Sequence, residues 1–152
     1  MRGENGFTLI EVVCVLAIVA LLALIALPRA PQATTAQGLR GYAVEIAAML
    51  KADRNAAIRQ HALVSTALSA ASHSVRSGAG GGVLQVPADV GFDAIVAQRC
   101  NGRPAGASID FFPSGLSCGG AIALSRPGAA YQVRVNWLTG GVEVVSVDQP
   151  AN

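Results

Sequence analysis

The feature that most constrains this chain is a long apolar run containing a single acid. From Phe7 to Leu27 every residue except Thr8 and Glu11 is apolar. A helix needs ~20 apolar residues to cross a bilayer, so the run has the length of a membrane span. An ionised carboxylate inside such a helix costs ~2.5–3.5 kcal/mol on insertion scales, so Glu11 is expected to have a role. No Lys or Arg lies between Phe7 and Leu27, and any cationic partner must come from elsewhere. An ordinary secretory signal does not fit. Its apolar core spans roughly 7–15 residues and ends at a small-residue cleavage site. This run is longer, carries an acid and continues into Pro28 and Arg29. A lipoprotein signal fails too, because Glu11-Val12-Val13 before Cys14 lacks the Leu-small-small context. Cys14 is read as a small apolar residue of the span.

Gly6-Phe7-Thr8-Leu9-Ile10-Glu11-Val12 resembles the type III signal of type IV pilins and of the pseudopilins of type II secretion. The resemblance implies that a prepilin peptidase cuts between Gly6 and Phe7 and methylates the new amino terminus of Phe7. It also implies that Glu11 faces the free terminal amine of a neighbouring subunit during assembly. The expected organisation is a leader at 1–6, a transmembrane helix at 7–27, a periplasmic continuation of that helix at 28–61, and a β-rich head at 62–152. The chain is then a single-pass inner-membrane protein with its head in the periplasm. Charge alone orients it weakly, since Arg2 is partly offset by Glu4 while Arg29 lies just beyond the span.

Composition agrees with a tethered protein carrying one modest head. The chain is 52% hydrophobic and 13% charged, with mean hydropathy +0.47. Removing leader and span from the 152 residues leaves 152 − 27 = 125, enough for one core and not two. A formal charge of +2 is too small to argue for nucleic acid or an acidic surface as partner.

Pro28 and Pro31 should kink or open the helix beyond the membrane, and Gln32–Gly41 is a weak helix former. Helical periodicity then returns with Leu39, Tyr42, Ala43, Ile46, Met49, Leu50 and Ala57, while Arg40, Glu45, Lys51, Arg54 and Arg59 mostly occupy other faces. This amphipathic helix should end near Gln60 or His61. Period-two segments follow: Leu63–Ala70, Gly82–Val86, Phe92–Ala97, Ser108–Phe112, Ala121–Ser125, Tyr131–Asn136 and Gly141–Val147, punctuated by Gly, Pro, Ser and Asn. The last two form the clearest hairpin. Ser77–Gly82 is expected to be a mobile loop. One helix followed by many strands predicts an α+β head.

A second resemblance runs from about Ser108 to Val147. Phe111-Phe112-Pro113-Ser114-Gly115, then Gly119–Leu124, then Val133-Arg134-Val135-Asn136-Trp137-Leu138-Thr139-Gly140 resemble the head of H-type minor pseudopilins and the related FimT-type minor pilins. The implied fold is pilin-like, α+β, with a long N-terminal helix on an antiparallel β-sandwich. The implied function is that of a minor pseudopilin near the tip of the periplasmic pseudopilus that exports folded proteins. Expected partners are prepilin peptidase, other minor pseudopilins, the major pseudopilin, the inner-membrane secretion platform and secreted substrates; nucleic acid is not expected. The alternative is a minor pilin of a type IV pilus, acting in priming, adhesion or DNA uptake. No cofactor is implied.

Catalytic readings are weak by comparison. Gly115-Leu116-Ser117-Cys118-Gly119 satisfies the Gly-x-Ser-x-Gly pattern, but that chemistry needs a strand-to-helix elbow and a histidine base. Neither His61 nor His73 follows the serine, and the next segment reads as strand, so the chain is expected not to be an enzyme. Asp89 and Asp93 are too sparse for a calcium cage. Arg99, Arg103, Arg126 and Arg134 lack the interleaved aromatics of a nucleic-acid surface. With Cys14 in the span, Cys100 and Cys118 remain as a possible disulfide, worth ~3 kcal/mol in an oxidising periplasm. Two buried free thiols are the other reading, and no metal-ligand spacing is present.

Overall fold

The computed structural model describes residues 8–26 and 33–147. Gly6, Phe7, Pro28 and Pro31, and with them the cleavage site and the expected kink, lie outside the described residues. The chain divides into two compact units, Met1–Gln32 and Ala33–Asn152.

The first unit holds α1, Leu9–Ala26, whose only charged residue is Glu11 in its first turn. Its 18 residues rise ~27 Å at 1.5 Å per residue, just short of the ~30 Å hydrocarbon core. No helix among the described residues is long and apolar enough to cross a membrane. The apolar run of the sequence extends past both ends of α1.

The second unit begins with α2, Ala36–Gln60. Thr35 stands in extended conformation as the N-cap, and its hydroxyl accepts from the Gly38 N–H. This cap explains how a stretch of poor helix formers is helical from Ala36 onward: it satisfies one of the orphan donors of the first turn. The helix ends where His61 adopts a left-handed conformation and its N–H bonds the Ala57 carbonyl, as a C-terminal cap requires. The buried stripe Leu39, Ala43, Ile46, Ala47, Leu50, Ala57 follows the expected periodicity.

Strands β1 (Val64–Ser69), β2 (Ser74–Arg76), β3 (Val83–Gln85) and β7 (Ser108–Phe111) form one antiparallel sheet in the order β3-β2-β1-β7. A second sheet contains β4 (Gly91–Val96), β8 (Gly120–Arg126), β9 (Ala129–Val135) and β10 (Val142–Val147), ordered β10-β9-β8-β4. Between β4 and β7 lies a two-stranded ribbon, β5 (Arg99–Cys100) with β6 (Arg103–Pro104). Strand burial alternates as period two demands: in β1, Val64, Thr66 and Leu68 are buried while Ser65 and Ala67 are exposed. α2 packs against strands of both sheets, and their inner side chains share one core with it, including Ile109, Phe111, Ile122, Leu124 and Val133 at 0% exposure. The head is therefore α+β. The expected strands all appear; β2, β5 and β6 were not expected.

One expectation is corrected. Ser77–Gly82 is not a free loop, because Asp53 of α2 anchors it. Asp53 is 0% exposed. Its Oδ1 accepts from Ser77 Oγ at 2.5 Å and Ala79 N at 3.3 Å, and its Oδ2 accepts from Thr66 Oγ1 at 2.6 Å and Gly78 N at 3.1 Å. The Ser77 N–H also bonds the Gly82 carbonyl across the turn. A buried carboxylate needs such partners, and the small residues here let the backbone reach it: a Cβ at Gly78 would collide with the Ser65 backbone.

Candidate functional site

Glu11 sits one-third of a turn past Ile10 on a helix whose described side chains are all exposed, Leu9 at 83% and Ile10 at 72%. With Val12, Val15 and Leu16 it borders a shallow depression. Cys14 is a free, exposed thiol on the same helix. Such a surface cannot stay in water, since exposed apolar side chains in a continuous array demand lipid or protein cover. Glu11 forms no ion pair among the described residues.

In the head, the two C-terminal segments singled out by sequence converge through Arg54, which the helical pattern had placed on a face away from the core. Arg54 Nε donates to the Gly115 carbonyl at 3.0 Å and Nη2 donates to the Thr139 carbonyl at 3.1 Å. One guanidinium thus ties α2 to the β7–β8 turn and to the β9–β10 turn. Close backbone approach makes this possible, because a Cβ at Gly140, itself at φ 64°, would collide with the Gly115 carbonyl oxygen. Asn136 Oδ1 accepts from the Leu138 and Thr139 N–H groups and shapes the outer turn.

This arrangement projects Trp137 and Leu138 outward, at 66% and 58% exposure. Trp137 walls a cleft of about 560 Å³ whose other sides include Phe112, Leu116, Arg99 and the Cys100–Cys118 pair. Cys100 and Cys118 are joined in a disulfide with Cα atoms 5.6 Å apart, within the range such a bridge requires. The bridge clips the β5–β6 ribbon to the β7–β8 turn. Asp110 lies close enough that Cys100, Asp110 and Cys118 bring ligand atoms within 4.8 Å of one another. Sulfurs bonded to each other have no thiolate to offer a metal.

The remaining candidates have structural places. Ser117 is buried, and its hydroxyl accepts from the Gly119 N–H at 3.1 Å; it lies in a strand-to-strand turn, not at a strand-to-helix elbow. His61 caps α2, and His73 stacks on Phe92 with centroids 6.0 Å apart. Asp89 accepts from Thr34 N at 2.6 Å and Thr34 Oγ1 at 3.0 Å, which fastens the residues before α2 to the head. The Thr34 backbone N–H, with help from its hydroxyl and from Arg126, holds the Asp89 carboxyl below the usual range. Arg99 and Arg103 share the β5–β6 ribbon, whereas Arg126 ends β8 and Arg134 lies on β9 with its Nε on Gln132 Oε1.

The pattern defining the prokaryotic N-terminal methylation motif matches residues 1–27. No curated protein sequence matches the chain. Among solved structures, the minor pseudopilin EpsH from the type 2 secretion system of Vibrio cholerae is similar with a TM-score of 0.55 at 11% identity, over 68% of this chain and 93% of that one. The type IV minor pilin FimU of Pseudomonas aeruginosa is similar with a TM-score of 0.54 at 16% identity, over 72% of this chain and 89% of that one. At these identities the likeness is one of fold. The chain carries a prepilin-type methylation motif and has a pilin-like α+β architecture.

Proposed function

We propose that this chain is a minor pseudopilin of a type II secretion system, building on its prepilin-type motif and pilin-like head. The observation that carries the reading is the apolar helix with an exposed Glu11 in its first turn that forms no ion pair among the described residues. In this mechanism prepilin peptidase removes Met1–Gly6 and methylates Phe7, leaving the chain anchored in the inner membrane with a periplasmic head. Glu11 then pairs with the terminal amine of a neighbouring subunit. A charge that is costly alone in lipid and neutralised in the polymer is a driving force for assembly. The head acts through its surfaces toward other minor pseudopilins, the major pseudopilin and exported proteins, with no catalytic step and no cofactor.

Similarity to FimU supports a second reading, a minor pilin of a type IV pilus. Deleting the gene separates them: loss of exoprotein export with pili intact supports secretion, and loss of pili with export intact supports the pilus. Measurable DNA affinity of the protein at physiological salt also favours the pilus, in its uptake role. Both readings require processing, so mass spectrometry should find Phe7 as a methylated amino terminus. An intact leader in competent cells rejects both. Replacing Glu11 with Leu should abolish incorporation into filaments while leaving membrane insertion unchanged.

A further inference from the structure

The outer edge of β10 is built to accept a strand. In the β8–β9 hairpin Arg126 pairs with Ala129 around Pro127-Gly128, and the closing pair of a two-residue hairpin exchanges hydrogen bonds. Alternation along β9 then turns the backbone groups of Ala130, Gln132 and Arg134 toward β10, where their partners are Val147, Val145 and Glu143. The β9–β10 turn gives the same phase independently, since the Asn136 N–H bonds the Gly141 carbonyl. The N–H and C=O groups of Val142, Val144 and Ser146 therefore point away from β9. β10 is the last strand of its sheet, and nothing among the described residues pairs on that side.

Proteins normally blunt such an edge with Pro, Lys or a bulge. β10 reads Val-Glu-Val-Val-Ser-Val and pairs with β9 residue for residue over its whole length, so it has none of these. The opposite edge of the sheet, β4, is less suited to pairing because it contains Gly91, Asp93 and Ala94. The side chains of Val142 and Val144 lie against the core, while Glu143 is on the exposed face. Arg134 stands opposite Glu143, but its Nε is engaged by Gln132, and Glu143 makes no ion pair among the described residues.

We propose that β10 is a docking edge for an extended segment of a neighbouring filament subunit, one that alternates apolar and polar residues and sets a cation opposite Glu143. The occupant adds a fifth strand to the sheet by main-chain hydrogen bonds, with Val142 and Val144 reading its apolar side chains. A second copy of β10 is a poorer occupant: self-pairing centred on Val144 sets Glu143 against Val145 and leaves the acid uncompensated. The idea of a subunit neighbour rests on the filament reading above, whereas the receptive edge does not.

The test is residue-resolved amide hydrogen exchange on the full-length protein in detergent micelles, with and without the peptide acetyl-Thr-Val-Thr-Val-Lys-Val-amide. Free protein should exchange quickly at Val142, Val144 and Ser146 and slowly at Glu143, Val145 and Val147. The peptide should slow the first three at least about tenfold, by adding a hydrogen-bonded ladder partner. Glu143→Lys should weaken that effect, and a peptide with Glu in place of Lys should restore it. Val144→Pro, which removes an outward donor together with a half-buried side chain, should remain folded at somewhat reduced thermal stability, lose the peptide effect and fall out of sheared filaments. Unchanged exchange with peptide, slow exchange at all six amides in a self-associated free protein, or normal incorporation of a folded Val144→Pro variant each overturns the proposal. Absence of the wild-type chain from filaments instead rejects the filament reading and leaves the peptide result to decide the edge.

Discussion

Replacing Asp53, the buried acid in the inward stripe of α2, by Ala should destabilise the head more than truncating any other polar side chain of that helix. Its two carboxylate oxygens receive four donors, two hydroxyls and two backbone N–H groups. Thr66 is 0% exposed, so its hydroxyl has no water to turn to, and a buried donor stripped of its partner costs about 1–3 kcal/mol. Ser77, Gly78 and Ala79 lie nearer solvent and recover part of their loss by hydration. Taken together the substitution should cost roughly 3–5 kcal/mol, in line with the breaking of buried charged networks. For a head of this size that lowers the melting temperature by on the order of 10–20 °C, measurable by near-ultraviolet circular dichroism on the full chain in micelles. Asp53→Asn should also destabilise, by less, because in either orientation its amide N–H2 faces a backbone N–H, that of Gly78 or of Ala79. Adding Thr66→Val to Asp53→Ala should recover stability by removing the stranded hydroxyl. A shift of only a few degrees for Asp53→Ala, or no recovery in the double variant, refutes the idea that this carboxylate pins the loop to the helix.

Other outcomes follow from particular contacts. Gly140→Ala should cost more than about 3 kcal/mol, since it combines a left-handed backbone with a collision at the Gly115 carbonyl; chemical denaturation reads this directly. Replacing Cys100 and Cys118 together by Ser should lower stability by about 3 kcal/mol and should speed amide exchange selectively in the Arg99–Pro104 ribbon. Asp89 gives an acid-side effect: its pKa is lowered from 3.8, so its stabilisation is full above that value and is lost as pH falls through the lower folded value. Chemical shifts of Thr34 should report that release on titration from pH 5 to pH 2, and Asp89→Asn should abolish it.

Much of this head was legible in the sequence because its signals are periodic. The stripe from Leu39 to Ala57 and the alternation in β1, β8, β9 and β10 each repeat often enough to declare a face. The missed strands are short: β2 has a single inward side chain, Val75, and β5 and β6 have two residues each, so no period exists to detect. Asp53 and Arg54 escaped for another reason. Their partners lie up to 26 and 85 residues away, and a charged residue on an amphipathic helix looks solvated until the fold brings those partners to it. The glycine-rich segment Ser77–Gly82 looked loose on propensity, whereas an external carboxylate fixes it. Glu11 was conspicuous because a charge amid apolar residues violates local expectation by itself.

Trp137, the chain's one tryptophan, stands in the open at the wall of a cleft beside the disulfide. Its indole is thus an optical probe already installed at the head's most exposed aromatic position. Any macromolecule that settles over that wall must shift its emission toward the blue, with no other indole to obscure the change. Recognition events at this end of the head can be followed in the unlabelled, unmutated protein.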